Sequence, residues 1–181
     1  MARFKEILSK WRLWREYILI FVCLGSQIFQ MNRLLKKLDV MISEGCLEDK
    51  VIAQIGHSEY LPINYKYKRF MDKDEFKNYQ EQADLIITHG GTGAIIGASK
   101  LGKNIIAVPR LAKYREHVDD HQLQIVRVLE EEGYIRVAYD VESLYSLISL
   151  AIKKPITKKY NRESKIYNII TDFIDNDTKE R

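Results

Sequence analysis

Short apolar runs alternate with stretches of helical periodicity along this chain, and no other feature limits its fold as much. "EYILIFVCLG" (16–25) is rich in β-branched and aromatic residues and ends in glycine, the pattern of a buried strand. Between Ile28 and Ile42, the residues Met31, Leu34, Leu35, Leu38, Met41 and Ile42 return at the spacing of one helical face. "KVIAQIG" (50–56) is a second strand, and the alternating "YKYKRF" (65–70) a third. "MDKDEFKNYQEQA" (71–83) is a helix that Asp72 caps, with Glu75 three residues on. "DLIITH" (84–89), "NIIAVP" (104–109) and "YIRVAY" (134–139) supply strands four to six. Helices follow them at 92–101, at 119–132 with Gly133 as terminator, and at 141–153 with Asp140 as cap. Residues 161–174 carry Ile166, Ile169, Ile170 and Phe173 at helical spacing. The alternation predicts an α/β fold with a doubly wound, mostly parallel Rossmann-like sheet of order 3-2-1-4-5-6.

In that order the topological switch point falls between strands one and four, where ligands of open sheets sit. Both strands end in glycine, at Gly25 and at Gly90, Gly91 and Gly93 of "THGGTG", so three of the chain's nine glycines crowd one turn. Their backbone N–H groups can approach a ligand, and the following helix turns its positive end toward an anion such as a diphosphate. A tight strand-to-helix turn without a ligand is the plainer reading of one such segment. Two glycine-ended strands at one crevice favour a site. A dinucleotide fingerprint is not met, because the spacing is Gly91-x-Gly93-xxx-Gly97 and no acid follows about 20 residues later. No Lys-Ser/Thr pair closes the run as in a P-loop.

Composition enters as a filter. The length of 181 residues suits one domain, and the net charge of +4 hints at nucleic acid. However, Arg3, Lys5, Lys10, Arg12 and Arg15 against Glu6 alone account for that excess, so no basic face runs through the fold. Cys23 and Cys46 lack metal-ligand spacing and suit a reduced, cytoplasmic setting. "YILIFVCL" is eight residues long, well short of the ~20 that a membrane span needs. The first residues lack the pattern of a secretory signal.

"THGGTGAIIGASKLGKNIIAVPR" (88–110), followed by "KYREHVDDHQLQIVRVLEEEGYI" (113–135), resembles the nucleotide-sugar half of GT-B glycosyltransferases of family 28. Within that family the likeness is to small exopolysaccharide and capsule transferase subunits. It extends to the catalytic subunit of the eukaryotic two-subunit transferase that adds N-acetylglucosamine to dolichol-linked sugar. "IFVCLGSQIFQMNRLLKKLD" (20–39) is similar to that family's opening strand, loop and helix. The resemblance implies that Gly25 and Ser26 face the donor diphosphate. It implies that His89, Gly90, Gly91, Thr92, Gly93 and Ala94 form the turn against the nucleotide. Glu116, His117, Asp120, His121 and Gln122 would then meet the sugar hydroxyls and the ribose. Gly97 stands where a related peptidoglycan transferase has the acid that holds its ribose, which leaves that contact to Glu116 or to another group. The resemblance further implies transfer of a hexose from a UDP-sugar to a lipid-linked acceptor, without a metal. The work would be shared with a membrane-anchored, acceptor-binding partner, at the inner face of the plasma membrane. Glu116 and His117 are candidates for the base, which the partner can also supply.

Other readings stay beside this one. The chain can be an accessory subunit that stabilises a partner transferase, or an epimerase of the same fold, which usually carries both halves in one chain. His89 can simply cap its helix, and "EHVDDHQ" can be a solvated helix start with Asp119 or Asp120 as cap. His117 and His121 are four apart, a metal-pair spacing for which the sequence offers no evident third ligand. "DKD" (72–74) and "DND" (175–177) match an acidic metal triplet, but suit a helix start and a polar tail. A side chain at Gly93 is expected to crowd the diphosphate or to demand a forbidden backbone angle. Three segments follow: residues 1–16, the domain at 17–175, and the tail at 176–181. In the first, Phe4, Ile7, Leu8, Trp11 and Trp14 share a helical face beside the basic residues. Such a helix suits an anionic membrane surface, a partner, or this protein's own core.

Overall fold

The computed structural model describes residues 17–161; the amphipathic stretch at 1–16, most of the helical pattern at 161–174 and the tail at 176–181 lie outside them. Six strands form one sheet of order β3-β2-β1-β4-β5-β6. They are β1 (Leu19–Cys23), β2 (Lys50–Gln54), β3 (Lys66–Lys68), β4 (Leu85–His89), β5 (Asn104–Val108) and β6 (Arg136–Val137). All neighbours are parallel. The helices are α1 (Asn32–Ser43), α2 (Lys73–Gln82), α3 (Thr92–Lys100), α4 (His121–Glu131) and α5 (Leu144–Lys153).

The order is the one that the alternation predicts, and the burial explains it. Residues of β1 alternate between two cores: Ile20 and Val22 pack with Leu34, Leu35 and Leu38 of α1 and Leu144 and Ile148 of α5. Phe21 and Cys23 face the other way, toward Ile95 and Ala98 of α3 and Val126 and Leu129 of α4. The β4 and β5 strands are buried along their whole length, as a sheet covered on both faces requires. Phe76 and Tyr79 of α2 pack their rings on Phe21, at centroid distances of 5.3 and 5.8 Å.

The elements are shorter than their patterns. The periodicity from Ile28 overshoots, because α1 starts at Asn32. Residues before it form a loop in which the Ser58 hydroxyl accepts from Met31 N–H and Gln30 Oε1 accepts from Asn32 N–H. Similarly, β6 keeps two residues of the apolar run at 134–139. Asp72 caps α2 by accepting from the N–H groups of Asp74 and Glu75. Asp140 accepts from Glu142 N–H and starts a 3-10 turn, Val141–Ser143, ahead of α5. Asp120 precedes α4 without capping it through its side chain.

Candidate functional site

The β1 and β4 strands end side by side, and the Thr88 hydroxyl donates to the Cys23 carbonyl at 2.9 Å across the switch point. Beyond it the chain turns at Gly25, in the left-handed region with φ +72°, and at Gly90–Gly91. The imidazole of His89 fills the space between these turns. A Cβ at Gly25 would stand 2.8 Å from its Cε1, and one at Gly91 2.2 Å from its Nε2. These two glycines therefore make room for a ring as well as for any ligand. His89 does not cap the helix; its Nδ1 lies 3.4 Å from the Cys23 carbonyl. Burial, reinforced by the charge of Arg110, pushes the His89 pKa down to about 4, so the ring is neutral at pH 7. Gly90 serves packing instead: a Cβ there would meet Gln122 Cβ at 2.9 Å, so its absence lets α4 close on β4.

Gly93 differs from the other three. No atom lies within 4 Å of a Cβ built on it, and its φ is outside the left-handed region. The expected forbidden backbone angle is thus absent, and any constraint there comes from what enters the space beside it. No side chain caps α3, and its first internal bond runs from Ile95 N–H to the Gly91 carbonyl. Hence the N–H groups of Thr92, Gly93 and Ala94 have no helical acceptor and face the space with the positive end of the helix dipole.

The segment after β5 forms the opposite wall. Arg110 is fully buried, and its Nη2 donates to the carbonyls of Leu24, at 2.7 Å, and Phe29, at 3.1 Å. Its N–H donates to Gln122 Oε1 at 3.0 Å, which fixes that side chain at the start of α4. The Glu116 carboxylate is also buried. It accepts from Arg33 Nε at 2.8 and 3.0 Å and from Leu111 N–H at 3.2 Å. Burial pushes the Glu116 carboxyl up against the opposing pull of Arg33. Asp120 accepts from Ala112 N–H at 2.7 Å. Glu116 and Asp120 therefore hold the loop, and neither is among the residues that line the cavity, unlike the others expected to meet the sugar and the ribose.

His117, His121 and Gln122 do line it. Asp119 accepts from the Nδ1 of His121 and lies 3.3 Å from the Nδ1 of His117. Asp119 thus adds a carboxylate to the histidine pair that the sequence spacing alone did not show, with one N or O atom from each of the three residues within 4.8 Å of the others. Burial, then the neighbouring His121, lowers the pKa of His117.

Together these walls enclose a cavity of about 720 Å³ at the carboxyl ends of β1 and β4, within the range of sites for small ligands. Gly25, Ser26, His89, Gly90, Gly91, Thr92, Gly93 and Ala94 border it, as do the three residues of the opposite wall. Gln27, Gln54, Phe76, Gln80, Gly97 and Ile125 complete the lining. Apart from Gly97, the sequence reading passed over these. Phe76 and Gln80, four residues apart, share the face of α2 that meets the core, and a glutamine on such a face was the available signal.

The chain is thus a doubly wound, Rossmann-like domain with an uncapped helix start at its switch point, a place where such sheets can take anionic ligands. The profile of the glycosyltransferase family 28 C-terminal domain matches residues 19–176, and the chain belongs to that family. It is 26% identical over 122 residues to the mouse (Mus musculus) UDP-N-acetylglucosamine transferase subunit ALG13, covering 64% of this chain and 10% of that one. The Candida albicans subunit of that name is 25% identical over 127 residues, 70% of this chain and 38% of the relative. The chain thus spans well under half the length of these relatives. Among solved structures, the kitacinnamycin glycotransferase superposes with a TM-score of 0.57 at 19% identity, over 78% of this chain and 37% of that one. Likeness at that identity speaks for the fold.

Proposed function

We propose that this chain is the donor-binding subunit of a UDP-sugar-dependent glycosyltransferase that works with a partner. The uncapped start of α3, open to the cavity at the switch point, carries the proposal, because it offers three N–H donors to a diphosphate. The relatives are named as N-acetylglucosamine transferase subunits. UDP-N-acetylglucosamine is therefore the first donor to test, ahead of the hexoses of exopolysaccharide or capsule synthesis that the resemblance suggests. The word "subunit" in those names supports a partner. So do Ile28 and Val118, 78% and 76% exposed, which adjoin Gln27 and His117 at the cavity mouth. A membrane-anchored partner carrying a lipid-linked acceptor, met at the cytoplasmic face, completes the reading. Among the described residues no helix is long and apolar enough to cross a membrane.

In the transfer the acceptor oxygen bonds to the anomeric carbon as the bond from that carbon to the diphosphate oxygen breaks. Charge grows on the diphosphate, where the α3 N–H groups stabilise it without a cation. The acceptor hydroxyl gives up a proton. His117 and His121 remain as cavity-lining bases, and an imidazole that gives its Nδ1–H to Asp119 keeps Nε2 free to accept that proton. Glu116 is spent on Arg33.

Calorimetry of the full chain with UDP in chelator tests the donor reading, with UMP and ADP as controls. UDP should bind and outcompete UMP, since the second phosphate meets the helix start. Absence of UDP binding, or a strict need for magnesium or manganese, would overturn it.

A further inference from the structure

Three buried glutamines line the cavity, and two of them are committed to the protein. Gln54 accepts from Met71 N–H at 3.1 Å and donates to the Gly25 carbonyl at 3.4 Å. Gln122 gives its oxygen to Arg110 N–H. Gln80 is only 8% exposed, yet its carboxamide has no hydrogen-bond partner among the described residues. Its amide instead opens onto the cavity, where it is free to pair with a ligand. Across from it stands Gly97 of α3, where a Cβ would sit 3.5 Å from Gln80 Nε2 and 4.0 Å from Oε1. The bare backbone at Gly97 therefore leaves both amide atoms room to meet a ligand. Phe76, one turn earlier on α2, and Ile125 add apolar surface to the same cavity.

Position along α3 selects the ligand group. Gly97 lies five residues beyond Thr92, about 7 Å along the axis at 1.5 Å per residue. A diphosphate seated at the helix start reaches that depth with the ribose attached to its inner phosphate. A ribose offers a vicinal pair of hydroxyls, each able to donate and accept. A carboxamide offers one acceptor and one two-hydrogen donor side by side, which matches that pair.

We propose that Gln80 binds the ribose hydroxyls of the donor across Gly97 and so selects ribonucleotides. This rests on the donor reading above. The test titrates the full chain with UDP and with 2′-deoxy-UDP, in the native protein, in Gln80→Leu and in Gln80→Asn. The native chain should prefer UDP by about five- to tenfold, the worth of one neutral hydrogen bond. Gln80→Leu should melt no lower than the native chain, bind UDP more weakly, and bind both nucleotides equally. In Gln80→Asn the amide is one methylene too short, and the preference should shrink toward unity. Gly97→Val, which sets a branched side chain against the Gln80 amide, should equalise the two nucleotides from the opposite wall. A native chain that binds UDP and 2′-deoxy-UDP alike would overturn the proposal, as would a Gln80→Leu variant that keeps the preference. Failure of the native chain to bind either nucleotide would instead remove the donor reading, and the role of Gln80 with it.

Discussion

The turn between β4 and α3 and the segment between β5 and α4 both border the cavity, yet they present it with different parts of the chain. The turn offers backbone: Gly90, Gly91, Gly93 and the first N–H groups of α3, with His89 folded behind them. The segment offers side chains, and only some of them. In "EHVDDHQ", His117, His121 and Gln122 reach the cavity, whereas the buried Glu116 and the exposed Asp120 tie the loop to Arg33, Leu111 and Ala112. A backbone site needs small residues and a helix start, which leave a readable mark. A side-chain site on an irregular loop must spend polar groups on holding its own shape, because no regular ladder satisfies its N–H groups.

The comparison predicts that the segment can be broken without touching the site's chemistry. Glu116→Ala removes a carboxylate with 1% side-chain exposure and leaves Arg33 without its counter-charge, held by the Pro109 carbonyl. Truncating one partner of a buried pair costs about 3 kcal/mol or more, so thermal or urea unfolding should show a loss of that size. Glu116→Gln, which keeps an acceptor, should lose less. The folded fraction of either variant should bind UDP nearly as the native chain does. If Glu116→Ala keeps full stability but loses UDP binding, Glu116 belongs to the site and the division between the walls is wrong.

How far each region was legible follows from the same physics. The sheet order and the place of the turn were readable, because buried parallel strands are apolar runs and a tight strand-to-helix turn draws glycines. The direction of Glu116 was not readable. Its partner Arg33 lies 83 positions away, and only the tertiary fold brings the two within 2.8 Å. Asp119 was hidden for another reason. It looked like a helix cap, and it does accept from His121 N–H at 3.2 Å, but its place between two imidazoles depends on the path of the loop. Gly91 and Gly25 were marked as ligand-facing without a sign that His89 would also claim their missing side chains.

Acid should separate the two walls. His89 is held at about 4, below the 6.5 of a free imidazole, by burial and by Arg110, with His117 adding a weaker push and the Cys23 carbonyl opposing. The unfolded chain therefore takes up a proton near pH 6.5, and the folded chain does not until about pH 4. Stability from this group is intact above pH 6.5 and falls as pH drops from 6.5 toward 4. The loss reaches up to about 3 kcal/mol, at roughly 1.4 kcal/mol for each pKa step. Glu116 works the other way: burial raises its pKa, so the folded chain protonates first and acid relieves part of its burial cost. Unfolding midpoints measured from pH 7.5 to 4 should fall steeply in the native chain. The slope should be shallower in His89→Gln and steeper in Glu116→Gln. An unchanged slope in His89→Gln would show that the ring is not the buried neutral group described here.

The smallest expected change in stability belongs to Gly93, and it isolates the backbone wall most cleanly. At the second position of α3, with open space around a built Cβ and an ordinary φ, this residue has no structural need to be glycine. Gly93→Ala should leave the melting temperature unchanged or raise it, because alanine favours a helix over glycine by up to about 1 kcal/mol. Gly93→Val should also fold. Its methyl groups would stand in the cavity where the α3 N–H groups are offered to an anion, so UDP affinity should drop by more than about tenfold, or 1.4 kcal/mol. His89 and Gln122 stay in place in both variants, since neither touches the new Cβ. Near-normal melting with UDP binding lost would identify a residue kept small for the ligand alone, the counterpart of Glu116, which is kept for the frame. If Gly93→Val instead binds UDP at native strength, the diphosphate lies elsewhere in the cavity and the α3 start is a packing turn.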